Sequence, residues 1–301
     1  MQIEKIRSGI YTGLFSGCLL LASVAIHPVT AAATLKDAVI TEADVYANFR
    51  YRFEHVDDDL APKDANASTL RSVFGYQSGR LHGFSTLLEA ELVNRLGGNY
   101  REYPGQPGST RAVVADPDST ELNQGYLQYD AAGHSRLRAG RQAITYRGAP
   151  FHRFIGTILW RQNWQTFDAV SLENQALADT TLSYAWIWNV NRIFGDKSPS
   201  PLNDFDSDSH LLNLQYDRFS FANLETYAYL LDFDNAPAAS SATVGLRVHG
   251  AVPLAAMAVT PIYALEYAHQ ADHGDNPGDY DVSYQLIEGG FNYSHTLFST
   301  A

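Results

Sequence analysis

The sequence predicts an all-β fold: a transmembrane antiparallel β-barrel with about twelve strands present. Three observations predict it. Short segments alternate apolar and polar residues with a period of two. The connections between them alternate long and short. The N-terminus reads as a secretory leader, and after it no run of about twenty apolar residues forms a membrane-crossing helix. A barrel strand needs only about ten residues, half of them polar, so it escapes a hydropathy scan.

The leader takes residues 1–33. Lys5 and Arg7 begin it, an apolar run from Leu19 to Ile26 follows, and Ala31 to Ala33 supply the small residues of a cleavage site. Cys18 follows Ser16-Gly17 as in a lipoprotein signal, but most of the apolar run lies after it, where lipidation needs it before. Cys18 is the only cysteine, so residues 34–301 hold neither a disulfide framework nor a cysteine metal site. Removing Glu4, Lys5 and Arg7 makes the net charge of −12 one unit more negative. An acidic chain disfavours nucleic acid as a partner. The aromatics, mostly 18 Tyr and 15 Phe, suit strands with interfacial girdles.

Strands are expected near Asp44–Val56, Thr69–Gln77, Phe84–Asn94, Glu121–Asp130, Arg136–Ile144 and Phe167–Asn174. Six more are expected near Thr181–Asn191, His210–Tyr216, Phe219–Leu231, Thr243–His249, Val259–His269 and Asp281–Tyr293. In the first, Val45, Ala47, Phe49, Tyr51 and Phe53 share a face, opposite Tyr46, Asn48, Arg50, Arg52 and Glu54. In the third, Phe84, Leu88, Ala90 and Leu92 oppose Glu89 and Glu91. In the seventh, Leu182, Tyr184, Trp186 and Trp188 oppose Thr181, Ser183, Asn189 and Asn191, and the Trp pair suits a girdle. The faces of the last two strands stay open. Gaps such as Asp57–Ser68, Arg95–Thr120, Thr145–Thr166 and Arg192–Ser209 are long, while Ser78–Gly83, Ala131–Ser135, Gln175–Thr180 and Asp217–Ser220 are short. Outer-membrane barrels place long loops outside and short turns in the periplasm, with apolar side chains toward lipid and polar ones toward the lumen.

Arginine concentrates on the expected lumen face at Arg50, Arg52, Arg71, Arg136, Arg138 and Arg247, and in the fifth gap at Arg147, Arg153 and Arg161. A guanidinium offers a fixed donor fork to carboxylates and stays charged, so an arginine-lined lumen favours anions. The solute path is therefore expected along Arg50, Arg52, Arg71, Glu89, Glu91, Arg136, Arg138, Arg153 and Arg161. The alternative is that Arg50, Arg52 and Arg71 merely pair with Glu54, Glu89 and Glu91. Thr145–Thr166 holds Phe151, Phe154, Ile155, Leu159, Trp160 and Trp164, too apolar for a solvated loop. It either folds into the barrel as a constriction, with Arg153 and Arg161 reaching the path, or packs on a neighbouring loop or lipopolysaccharide.

Acidic clusters fall at Asp57–Asp59, at Asp204, Asp206 and Asp208, and at Asp272, Asp275 and Asp279, all read as outer loops. Asp204–Asp208 opens like a calcium loop but has Ser209 and Gln215 where an EF-hand needs Gly and Glu. No cofactor is expected, and loop calcium is left open. No catalytic motif occurs, so the chain is not read as an enzyme. The rival readings are an outer-membrane hydrolase or lyase, and a secreted β-protein that binds polysaccharide.

Several stretches resemble the alginate export family of outer-membrane porins: Asn48–Glu54, Ala67–Gly75, Gly83–Glu91, Val114–Tyr129, Gly140-Arg141-Gln142, Trp160–Val170, Tyr184–Gly195 and Phe205–Leu212. The resemblance implies a monomeric barrel of about sixteen to eighteen strands in the outer membrane of a Gram-negative bacterium. Its partners would be membrane lipid, lipopolysaccharide and an anionic polysaccharide or sugar acid of the alginate or uronate type. Arg50, Arg52, Arg71, Glu89, Glu91, Arg138 and Arg161 match the family's lumen positions. Family members continue beyond the point corresponding to Leu297–Ala301. The barrel in 34–301 is therefore expected to be incomplete at its C-terminus, because unpaired edges are not tolerated in lipid.

Overall fold

Each alternating segment becomes a strand in the computed structural model, which describes residues 19–21, 34–131, 134–147, 154–252 and 259–293. A three-residue strand, β1 (Leu19–Leu21), precedes twelve long ones. These are β2 (Asp44–Val56), β3 (Ala65–Gln77), β4 (Phe84–Asn99), β5 (Ser119–Ala131), β6 (Ser135–Gln142) and β7 (Thr166–Asn174). They continue as β8 (Thr180–Asn191), β9 (Asp204–Phe219), β10 (Ala222–Leu231), β11 (Ser241–Ala251), β12 (Val259–Asp272) and β13 (Asp281–Tyr293). All lie in one sheet in sequence order, every neighbour antiparallel. The longest connections, 100–118, 143–165 and 192–203, leave one end of the sheet. The shortest, 132–134, 175–179 and 220–221, leave the other.

The two faces differ as the pleat requires. Along β2, exposure alternates at every residue, with Val45, Phe49, Tyr51 and Phe53 outward and Tyr46, Asn48, Arg50, Arg52 and Glu54 inward. Outward positions on later strands are again apolar: Leu88, Leu127, Leu137, Leu182, Leu212, Leu214, Leu246 and Leu265. On β12, whose faces the sequence left open, Ala264, Glu266 and Ala268 are inward and buried, while Leu265 and Tyr267 point out. On its far side β2 pairs with β1, which falls in the expected leader, at Leu19–Leu21 against Phe49–Tyr51. Among the described residues β13 has no pairing with β2, so the sheet is open there.

Two expectations are corrected. Asp204, Asp206 and Asp208 lie on β9, not in a loop. Their spacing of two is itself a strand pattern, with Ser207 buried between Asp206 and Asp208 and Ser209 buried just after them. The expected opposition of Trp188 to Asn189 and Asn191 also fails, for both Asn: Asn189 pairs in register with outward Asp206 and donates to Asn191 at 3.1 Å. The register shifts between Ile187 and Asn189, and Val190 turns inward with 5% exposure. Asn191 then faces outward and donates to Asp168. A β-bulge inverts the alternation of everything beyond it, and no period-two reading registers that.

The inner face is not uniform. On β7–β10 and β12 it carries a buried apolar cluster that includes Phe167, Ala169, Ile187, Leu211, Tyr227, Tyr229 and Ala268. Ile144 and Ile155 of connection 143–165 complete it. Tyr227 lies flat over Gly245 of β11, where a Cβ would overlap its ring, and stacks at 4.8 Å on Tyr229. On β2–β6 the inner face is mainly polar and ionic, with a smaller apolar cluster of Ala65, Ala67, Tyr100, Ala112 and Val114 at one end.

Candidate functional site: the inner wall and the segment that crosses it

The described parts of connection 143–165, residues 143–147 and 154–165, lie against the inner face, and their apolar residues explain why. Phe154 packs against Tyr227, Tyr229 and Tyr284, and Tyr146 stacks on Tyr229. Removing these rings from water is worth roughly 2 kcal/mol each, which an exposed loop would forgo. The described part of the segment thus packs inward on the wall and not on a neighbouring loop; the expected constriction with Arg153 falls partly on residues outside those described. Phe151 and Arg153 lie outside the described residues.

Its far half is held by β2, β3 and the residues leading into β5. Arg50 donates from Nε to Gln162 Oε1 at 2.7 Å and from its terminal nitrogens to the carbonyls of Leu159, at 2.8 Å, and Arg161. Arg52 donates to the Trp160 carbonyl and to Glu54. Gln162, fully buried, donates to Thr69 Oγ1 at 3.0 Å, and its backbone N–H reaches Asp116 at 2.8 Å. Asn163 accepts from Ser119 at 2.6 Å. Arg161 lies 3.1 Å from Glu54 and stacks at 4.2 Å over Trp160. Burial pulls its guanidinium pKa down, against the pull of Asp116 and Glu54, but an arginine remains charged.

The near half is held by one ionic clamp. Arg147 donates to Glu225 at 2.8 Å and to both oxygens of Glu266 at 3.0 and 3.1 Å. Both carboxylates are buried. Arg247 stands 4.0 Å from Glu225 and 3.9 Å from Glu266, and Tyr227 donates to Glu266 at 2.6 Å. Burial opposes the charge on Arg147, but hydrogen bonds and charge from Glu266 and Glu225 outweigh it and raise its pKa above that of a free arginine. A cavity of about 1040 Å³ opens beside the clamp, bordered by Arg147, Glu225, Arg247, His249 and Tyr263.

The expected path residues separate into groups. Arg50, Arg52, Arg71, Glu89, Glu91, Arg136 and Arg138 are all on the inner face, and Arg161 is on the crossing segment. Most are compensated. Arg71 is buried against Glu91 and lies 4.0 Å over the Trp164 ring. Glu89 accepts from Tyr46 and Asn123, each at 2.5 Å, rather than from an arginine. Arg136 pairs with Asp130 at 3.0 Å. Arg138 donates to Gln128 at 2.8 Å. The alternative of internal pairing therefore holds for Arg52 with Glu54 and for Arg71 with Glu91. The acceptors of Arg50 instead lie on the crossing segment. Sequence reasoning overlooked Glu225 and Glu266. Each is a lone acid at an inward strand position, and an apolar loop carrying Arg147 was the available sign that something buried must neutralise them.

The Gly140-Arg141-Gln142 stretch acquires a structural account. Gln142 is buried, donates to the Ala169 carbonyl at 3.0 Å and accepts from Ser171 at 2.6 Å, tying β6 to β7. Arg141 points outward and pairs with Asp168 through two nitrogens at 2.7 and 3.0 Å. Near it on the outer surface, Trp186 and Trp188 stand 5.6 Å apart, and Trp186 donates to Asp208 at 2.8 Å. Among the described residues no group of three or more His, Cys, Asp or Glu side chains converges to hold a metal.

The single antiparallel meander with an apolar outside and a segment across its inside is the fold of the outer-membrane porins. The crystal structure of Acinetobacter baumannii OccAB2 is similar over 85% of this chain and 64% of its own, with TM-score 0.64 and 15% identity. Pseudomonas aeruginosa OccK2 (OpdF), crystallised in complex with glucuronate, is similar over 85% and 63%, with TM-score 0.60 and 15% identity. P. aeruginosa OccD3 (OpdP) is similar over 84% and 59%, with TM-score 0.57 and 14% identity. The chain spans about six-tenths of the length of these proteins. At such identities the likeness is one of fold. No family model matches the sequence, and no curated protein matches it.

Proposed function

We propose that the protein is an outer-membrane porin that passes small anionic, carbohydrate-like solutes by passive diffusion, and that it is not an enzyme. In this reading the long connections face the exterior and the short ones the periplasm. Residues 1–33 are a cleaved leader, and the outer surface between the aromatic residues meets lipid and lipopolysaccharide. The observation that carries the reading is the contrast between the two faces. An apolar outer surface over twelve strands is unstable in water, and the inner face carries the cations. The solute class draws support from the structural neighbours, since OccK2 was crystallised with glucuronate and OpdK with vanillate, both carboxylates. The finer assignment, to the alginate export family with a uronate solute and a monomeric barrel, rests on the sequence stretches quoted above.

The test is single-channel recording in a planar bilayer. The reading expects discrete conductance steps, an anion preference, and inhibition of current by glucuronate. A protein that folds without detergent and carries no current would overturn it.

A further inference from the structure

Of the four Trp residues, Trp186 and Trp188 lie on the outer surface, and Trp164 lies beneath the guanidinium of Arg71, 4.0 Å from its ring. Trp160 is placed differently. It sits on the crossing segment, on the inner side of the sheet, and yet is 55% exposed. An indole left open in this way forgoes much of the apolar burial that a tryptophan ordinarily brings. Gln162 and Asn163, two and three residues on, are buried.

The backbone builds this exposure in. Ile158 has φ +54°, a left-handed conformation that is costly for a β-branched residue. Its carbonyl accepts from the Arg161 N–H at 3.0 Å and closes a tight turn over residues 158–161. The base of the turn is tied, because Gln165 donates from its backbone to the Thr157 carbonyl at 2.9 Å and from its side chain to the Gly156 carbonyl at 3.1 Å. The tip is tied as well. The carbonyls of Leu159, Trp160 and Arg161 accept from Arg50 and Arg52 of the wall. The turn is therefore gripped by its carbonyls while the indole stays open. Strain of this kind persists only where the surroundings over-determine it, and it gathers at ligand-binding sites. Arg161 stacks on the ring at 4.2 Å and Arg52 stands 6.0 Å from its centre. Both guanidinium groups are paired with Glu54, so they steady the ring as part of the wall.

Resting on the porin reading, we infer that Trp160 is a stacking platform for the ring of a cyclic solute, a pyranose. The face of an indole carries the negative part of its quadrupole, and the C–H bonds on the flat side of a pyranose meet it with their positive ends. Such a contact reads ring shape and not charge. It separates a cyclic solute from an open-chain one of the same charge and similar size, which charges on the wall cannot do.

The test compares wild type, Trp160→Leu, Trp160→Phe and Trp186→Phe in a bilayer. It reads the concentrations of glucuronate and of gluconate that halve the current. Both probes are six-carbon hydroxy acids with one carboxylate, and only glucuronate forms a pyranose. Wild type is expected to be blocked more readily by glucuronate. Trp160→Leu is expected to raise the half-blocking concentration of glucuronate about fivefold and that of gluconate less than about twofold. Trp160→Phe should keep part of the preference, and Trp186→Phe, on the outer surface, should match wild type. In vesicles, glucuronate should shift the tryptophan emission of wild type and not that of Trp160→Phe, a readout that holds even where Trp160→Leu fails to fold. A conducting wild type that does not distinguish the two acids, a Trp160→Leu channel that keeps the preference, or an emission shift that survives in Trp160→Phe overturns this inference and leaves the porin reading standing. Absence of any conductance from wild type overturns both.

Discussion

The inner face of β2–β6 and that of β7–β12 solve the same problem in different ways. Both must cover the wall with side chains that hold segment 143–165. The first does so with a lattice of arginines, carboxylates and amides, in which Arg50, Arg52, Thr69 and Gln162 meet the segment by hydrogen bonds. The second uses an apolar core, with stacked Tyr227 and Tyr229, and admits one ionic clamp at Arg147. In the porin reading, the difference teaches that the outer face alone is constrained by lipid. The inner face is free to be a polar wall in one half and a protein core in the other, provided every buried charge finds a partner.

The comparison can be broken most forcefully at the clamp. Arg147→Ala leaves Glu225 and Glu266 buried with Arg247 only at 3.9 to 4.0 Å, and should cost about 3 kcal/mol, the lower end for a broken buried pair. Urea unfolding from lipid vesicles would measure it, and a change under about 1 kcal/mol would mean that Arg247 fully replaces Arg147. Next, Leu211→Ala on the inner face of β9 should cost about 2–4 kcal/mol, and Leu214→Ala on the outer face of the same strand about 1 kcal/mol or less. Equal costs at the two sites would contradict the assignment of an apolar core to this half.

In the polar half the effects should be smaller. Arg50→Ala removes the donors to Gln162, Leu159 and Arg161 and should cost about 1–3 kcal/mol, with trypsin cutting after Arg161 faster than in wild type. An unchanged digestion rate would show that the apolar half alone fixes the segment. The smallest effect belongs to the outer surface. Trp186→Phe keeps the ring surface and loses the bond to Asp208, for about 1 kcal/mol by the same unfolding measurement.

These cases also mark how far the chain could be read. The apolar face of β2 was legible because Val45 to Glu54 alternates without interruption, and Glu89 and Glu91 because Leu88 and Ala90 frame them. The strand through Asp204, Asp206 and Asp208 was misread as a loop because charge there outweighed a perfectly good period of two. Asn189 and Asn191 were placed on the wrong face because a bulge is one residue long and leaves no periodic trace. The apolar character of Thr145–Thr166 showed that it must be covered, but not by what.

By itself the sequence determined the twelve long strands, their order, and the apolar face of most of them. Those follow from alternation and gap length, which are local properties of the chain. Only the tertiary structure decided what each inward arginine does. Arg50, Arg71, Arg138 and Arg147 are chemically identical, and their partners lie 112, 20, 10 and 78 residues away in the chain. Whether a guanidinium anchors a segment or neutralises an acid depends on which carboxylates and carbonyls the folded sheet brings to it, and no local pattern encodes that.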